Sequence, residues 1–176
     1  LAGAVDCKSG ESLQTTTSSP DKSELEKIYW ARVDSSRMSF SDADVKFMTD
    51  MIGHHAQALI ISRLAPENGA SREIQTLASR IINAQKDEIS TMQQWLRDRK
   101  QPVPEIEIDG LHLIIDGMPH HHHSAHMNMP GMLSQEQLHE LSTTKNSAFN
   151  RLFLRYMIEH HSGAVTMVKT LFSTDG

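Results

Sequence analysis

The sequence predicts an all-α protein: an antiparallel helical bundle from a duplicated helix pair, interrupted by a His/Met-rich linker that carries a β-hairpin signal. Three observations predict it. Apolar residues recur at helical spacing over long stretches, capping residues and prolines bracket those stretches, and one cassette occurs twice. Phe47-x-x-x-Met51-Ile52-x-His54-His55-x-x-Ala58 matches Phe153-x-x-x-Met157-Ile158-x-His160-His161-x-x-Ala164 without a gap.

Taken in order, residues 1–22 are Ser/Thr-rich, lack apolar periodicity and read as a disordered leader or tether. The opening LAGAVDC raises the question of a lipid anchor on Cys7, but Asp6 fits that cleavage poorly, so a processed N-terminus is the preferred reading. Residues 23–176 form the expected helical metal-binding domain, with residues 100–133 as a non-helical linker inside it. ELEKIYWARVDS reads as a short helix presenting Ile28, Tyr29 and Val33. Ser41 is a plausible N-cap with acidic residues after it, and Pro66 follows the end, so a helix is expected from Asp42 to Leu64.

A second long helix follows, in which Ile74, Leu77, Ala78, Ile81, Ala84, Gln85, Glu88, Met92 and Trp95 share a helical period, and Pro102 closes it. The short connection makes the two helices an antiparallel hairpin. EIEIDGLHLII is strand-like around Asp109-Gly110, a favoured two-residue turn. GMPHHHHSAHMNMPGML is low-complexity His/Met, Ser134 to Gln137 is a capping box, and a last helix is expected from Ala148 to Phe172.

The bulk composition narrows the function. The 176 residues suffice for one domain with a real core, and the net charge of -5 is mild. No basic patch with interleaved aromatics appears, so no nucleic-acid partner is expected. No stretch reaches transmembrane length and no intact signal peptide is present. Eleven His and ten Met stand against one Cys. Imidazole and thioether ligate metal without a deprotonated thiol, so they serve where thiols are oxidised.

At about 100° per residue, Met51, His54 and His55 fall in one arc of a helix, beside Met48 and Phe47. Met157, His160 and His161 repeat the arc, with Met167 further along. Packing accounts for a methionine stripe. It does not easily account for two adjacent imidazoles brought to one buried arc, each costing roughly 1–3 kcal/mol if unpaired. Thioether beside imidazole favours Cu(I), with Ag(I) as its mimic, over zinc or a di-iron centre. Gln85, Glu88 and Met92 share a face of the second long helix. Packed on the first cassette, Glu88 would accept an N–H from a ligand His and Met92 would offer another sulfur. In the linker, Met118, His120, His121, His122, His123, His126, Met127, Met129 and Met132 are expected as auxiliary ligands for capture or delivery of copper.

F-M-x-x-M-I-x-H-H-x-x-A, A-Q-x-x-E-I-x-x-M-x-x-W-L, M-P-G-M-L-S and F-L-x-x-M-I-x-H-H-x-G-A together resemble the bacterial domain-of-unknown-function 305 family over residues 38–176. The resemblance implies a ferritin-like bundle, usually exported to the periplasm or beyond, with some members similar to periplasmic copper-binding proteins linked to copper resistance. It places the site on Met48, Met51, His54 and His55, on Gln85, Glu88 and Met92, and on Met157, His160 and His161. The chain departs from the pattern where Leu154 replaces the counterpart of Met48, and where a second Gln-x-x-Glu-Ile-x-x-Met helix would follow Gly176. The expectation is therefore a non-catalytic protein that sequesters or transfers Cu(I) and contributes to copper tolerance. A copper donor or acceptor protein, or a second copy, would be its partner. The alternatives are a copper-dependent oxidase or ferroxidase, and a metal-free structural bundle.

Overall fold

The computed structural model describes residues 21–117 and 129–173. Its helices are α1 (Lys22–Met38), α2 (Asp42–Glu67), α3 (Arg72–Asp98), α4 (Gln135–Thr143) and α5 (Asn146–Ser173), with an antiparallel pair, β1 (Glu105–Asp109) and β2 (His112–Asp116). The molecule is thus the expected helical bundle with a small hairpin. Met118, His120, His121, His122, His123, His126 and Met127, expected as auxiliary ligands, lie outside the described residues, as does Cys7.

The chain divides into two compact units after Met38. In the first, Asp21 caps α1 by accepting from the backbone N–H groups of Ser23 and Glu24 at 2.7 and 3.0 Å. The helix exposes Leu25, Ile28, Tyr29 and Trp30.

The second unit begins with a reciprocal cap. Ser41 Oγ accepts from Asp44 N–H at 3.2 Å, and Asp44 accepts from Ser41 N–H at 2.8 Å. α2 runs to Glu67 rather than stopping at Leu64, with Pro66 inside its last turn. A proline there removes only its own donor, and the end is closed by Asn68 N–H to Leu64 O at 3.1 Å and Ala70 N–H to Ala65 O at 3.2 Å. α3 buries a narrow stripe of Ile74, Ala78, Gln85, Met92 and Leu96. Leu77 and Ala84, expected on that face, are exposed instead.

The hairpin turn sits one residue later than expected. Asp109 pairs with His112, so the loop is Gly110-Leu111. Gly110 has φ +57°, and a glycine that supplies positive φ at the first loop position fits the type II′ turn rather than the type I′ that Asp-Gly predicts.

Two apolar clusters show how α2 and α5 meet. Ile60, Ile61 and Ala65, after His54, share one cluster with Phe149, Phe153 and Met157, before His160. Met51 and Ile52, before His54, share the other with Ala164 and Met167, after His160. The two helices therefore cross antiparallel, with the histidines at the crossing. The α2–α3 loop fixes the start of α5 through Asn146 N–H to Asn68 O at 2.8 Å and Ser71 N–H to Asn150 Oδ1 at 3.1 Å.

The returning linker is pinned at the same crossing. The buried Gln57 side chain acts as a strand edge would: its Nε2 donates to Leu133 O at 2.9 Å and its Oε1 accepts from Leu133 N–H at 2.8 Å. The Pro130-Gly131 turn lies directly on α5 at Gly163, where an added Cβ would stand 1.9 Å from Pro130 O. Gly53 is different, since its added Cβ would meet side-chain tips alone, Ile115 Cδ1 at 2.9 Å and Met129 Cε at an ordinary 3.7 Å.

Gly163→Ala is therefore expected to destabilise the fold by at least about 1–3 kcal/mol. Gly53→Ala is expected to stay within about 1 kcal/mol of wild type, because helix propensity offsets a small shift of Ile115. Urea denaturation of both variants measures this, and equal effects would contradict the close approach of the turn.

Candidate metal centre

α2 contributes His54 and His55 and α5 contributes His160 and His161. His54 and His160 are 1% and 2% exposed, with ring centroids 3.8 Å apart and planes tilted by 37°. His161 lies 6.0 Å from His160, ring to ring, toward the surface. Two cassettes distant in sequence thus meet through the first histidine of each pair.

The hydrogen bonds define which nitrogen of each ring is available. His54 Nε2 faces Pro130 O at 3.1 Å; a carbonyl only accepts, so Nε2 carries the proton and Nδ1 the lone pair. His55 Nε2 donates to Glu88 at 2.8 Å, and the Met51 carbonyl one turn back faces the other side of the ring. Its Nδ1 is buried and lies on the Met51 side, outside ideal hydrogen-bond geometry. His161 Nδ1 donates to Met157 O at 2.8 Å, leaving Nε2. His160 Nε2 is buried and unpartnered.

Burial, first of all, pushes His54 down to about 4, against a raising contribution from the Pro130 carbonyl, and the neighbouring His55 and His161 lower it further. His160 is pushed down to about 2 by burial and then by His54, His161 and His55. Burial also lowers His55, opposed by the Glu88 carboxylate. His54 and His160 are neutral at pH 7 and present lone pairs without losing a proton.

Six of the expected sulfur residues surround one side of the crossing. Met51, Met92, Met129 and Met167 are buried in one cluster, with Met48, Met132 and Trp95 packed against it. Met157 is not among them. It lies in the other cluster, beside Phe149, Phe153 and Tyr156, because an antiparallel crossing sends the residue three before each histidine to opposite sides. Gln85 is buried with its Oε1 unpartnered, while the Glu88 side chain is half exposed. Among the described residues no group of three or more His, Cys, Asp or Glu is placed to hold a metal ion. Gln57, Pro130, Gly131 and Gly163 shape the centre and were not expected from the sequence. The only signals for them were the Pro-Gly dipeptide and the glycine after the second His pair.

A family model described as a domain of unknown function, DUF305, matches residues 44–175. No curated protein matches the chain. Among solved structures, a DUF305 protein from Streptomyces coelicolor, described as a candidate secreted protein, is similar at 27% identity and a TM-score of 0.60, over 76% of each chain. A DUF305 fragment from Deinococcus radiodurans is 32% identical with a TM-score of 0.57, over 72% of this chain and 74% of its own. Among the described residues no helix is long and apolar enough to cross a membrane.

The lowered imidazoles make stability pH-dependent with a definite sign. Below 6.5, the unperturbed value, the unfolded chain takes up protons at His54 and His160 that the folded chain refuses. Stability is therefore full above that pH and falls as the pH drops toward 4, by up to about 1.4 kcal/mol per unit for each group. Denaturation curves at pH 7.5, 6 and 4.5 should show this loss, and His160→Leu should flatten it. Equal stability at pH 7.5 and 4.5 would mean the rings are not held neutral.

Proposed function

The chain belongs to the DUF305 family, and from that premise, which fixes no activity, we propose that it binds a soft monovalent cation, Cu(I), as cargo and performs no catalysis. The observation that carries the reading is the buried lone-pair position of His160 Nε2, left without a hydrogen bond at the crossing beside a methionine-lined core. An unsatisfied buried polar atom costs about 1–3 kcal/mol, and a ligated metal would remove that cost. His54 and His160 stay neutral at physiological pH, so binding displaces no proton from them. Thioether and imidazole together match Cu(I), with Ag(I) as mimic, better than zinc or a hard cation.

Within this reading His54, His55, His160 and His161 supply nitrogen. Met51, Met92 and Met167 supply sulfur, with Met48, Met129 and Met132 next in line. Glu88 orients His55. Met157, packed among aromatic rings, contributes through packing. The same chemistry fits an exported protein that sequesters copper or hands it to a donor or acceptor protein and so raises copper tolerance. A secreted description of one structural relative supports that location. One observation favours a metal-free structural role for the pair, the bond from His54 to Pro130 O.

Anaerobic competition titration against a chromogenic Cu(I) chelator tests the proposal. Wild type is expected to compete, and His160→Leu and Met51→Leu/Met167→Leu are each expected to weaken Cu(I) by at least tenfold. Cu(I) or Ag(I) should also raise the melting temperature of wild type and not of His54→Leu/His160→Leu, since a ligand of the native state stabilises it. A wild-type melting curve unmoved by either ion would leave the structural role standing.

A further inference from the structure

Position 57 of the first cassette aligns with position 163 of the second, and there the repeat breaks, glutamine against glycine. Both residues nevertheless meet the same piece of chain. Gln57, 1% exposed, holds Leu133 by both of its backbone groups, at 2.9 and 2.8 Å, while Gly163 leaves the space that Pro130 and Gly131 fill. The turn is closed on itself by Met132 N–H to Met129 O at 3.1 Å. One cassette therefore grips the 129–133 turn and the other admits it, each with the residue three after its first histidine.

The seated turn governs His54. A neutral imidazole carries its proton on either nitrogen, and the hydrogen bond made by one nitrogen decides which. His161 shows the choice made by a helix alone: its Nδ1–H donates to the Met157 carbonyl one turn back. At His54 the choice is reversed, because Pro130 O stands 3.1 Å from Nε2 and a carbonyl only accepts. Since that acceptor is backbone, the bond depends on where the turn lies, and Gln57 and Gly163 fix where it lies. The turn also carries two sulfurs. Met129 is buried with Met51, Met92 and Met167, and Met132 packs against them. An outer hydrogen bond that fixes tautomer and ring orientation is what a ligating histidine needs from its surroundings.

We propose that Gln57 is a positioning residue of the cation site. By seating the 129–133 turn it holds His54 as the Nε2–H tautomer, with the Nδ1 lone pair left to ligate, and keeps Met129 and Met132 on the sulfur side of the crossing. The effect on the tautomer follows from the hydrogen bonds alone, and the effect on affinity rests on the Cu(I) reading above.

Three variants unseat the turn. Gln57→Leu removes the amide, and the milder Gln57→Asn withdraws it by one methylene. Gly131→Ala leaves Gln57 intact, but its Cβ would stand 2.7 Å from Glu159 O and 2.9 Å from His160 O at a φ of +77°. Phe149→Leu, about three helical turns before His160 and buried in the other cluster, is the control for lost stability. Two-bond proton–nitrogen spectra of the metal-free full chain, labelled at histidine, read the tautomer at pH 7.5, with the His54 signals assigned by their absence from His54→Leu. Anaerobic competition with a chromogenic chelator reads Cu(I) affinity. Wild type is expected to show His54 as one tautomer, protonated at Nε2. Each turn variant is expected to move both His54 nitrogen shifts toward the tautomer average and to weaken Cu(I) at least tenfold. Phe149→Leu should melt at lower temperature with the tautomer unchanged and the affinity within threefold of wild type. His54 signals unmoved in the position-57 variants overturn the proposal, as does a moved tautomer with unchanged Cu(I) affinity. A wild type that fails to compete for Cu(I) while its tautomer still answers to Gln57 refutes the Cu(I) reading, and the ligand role of Gln57 falls with it.

Discussion

The molecule depends on one contact, imidazole against imidazole where α2 crosses α5. Two polar rings 3.8 Å apart in a nearly dry crossing cannot both carry charge, and burial keeps them neutral. Much of the neighbouring structure serves to make that contact tolerable. The Pro130 carbonyl accepts the one N–H that His54 offers it, and it reaches the ring because Gly163 leaves room for the turn. Gly131, at φ +77°, has the backbone oxygens of Glu159 and His160 where a side chain would start. Gln57 then fixes the chain three residues on, at Leu133. The linker that carries the His/Met tract is in this way fastened at its C-terminal end to the two cassettes.

Duplication in sequence does not produce equivalence in space. Because the helices run antiparallel through their histidines, whatever precedes His54 meets whatever follows His160. Met51 therefore finds Met167 and Ala164, while Met157 finds the aliphatic residues of α2 and the phenylalanines of its own helix. The linker adds Met129 and Met132 to the first side, and α3 adds Met92. Sulfur collects on one side of the crossing and hydrocarbon on the other. The replacement of the Met48 counterpart by Leu154 moves in the same direction.

Much of the fold was legible because it is encoded locally. The caps at Ser41 and Ser134, the period of α3 and the strand alternation around Gly110 are each carried by residues a few positions apart, and they place the elements within a few residues. The errors at Pro66 and at the turn are errors of one helical turn and one residue. The pairing of the cassettes was legible from the repeat, and Glu88 from its place on α3. What could not be read were the contacts that cross 76 positions, Gln57 to Leu133 and His54 to Pro130. Gln57 looks like any polar residue in a helix, and nothing local says that its amide replaces a backbone partner. Likewise, that Met51 and Met157 part company follows from the crossing direction, which no spacing within either cassette contains.

The second histidine of each cassette shows how far neighbours decide chemistry that the motif leaves open. His55 has α3 beside it, and its Nε2–H donates to the Glu88 carboxylate, while the Met51 carbonyl one turn back also faces the ring. Among the described residues no helix stands beside His161 in this way; its Nδ1–H donates to the Met157 carbonyl one turn back, which leaves the lone pair on Nε2. Identical residues at identical positions in a repeat are therefore held differently, one by the carboxylate of a neighbouring helix and one at the surface. Any ion drawn to both would meet an imidazole held by a negative partner on α2 and one held only by its own helix on α5. A carboxylate raises the basicity of the ring it holds, so the two sites differ in ligand strength before any difference in sulfur is counted. The asymmetry of the centre thus originates in which face of each cassette helix is covered, and the cassette sequence alone does not determine it.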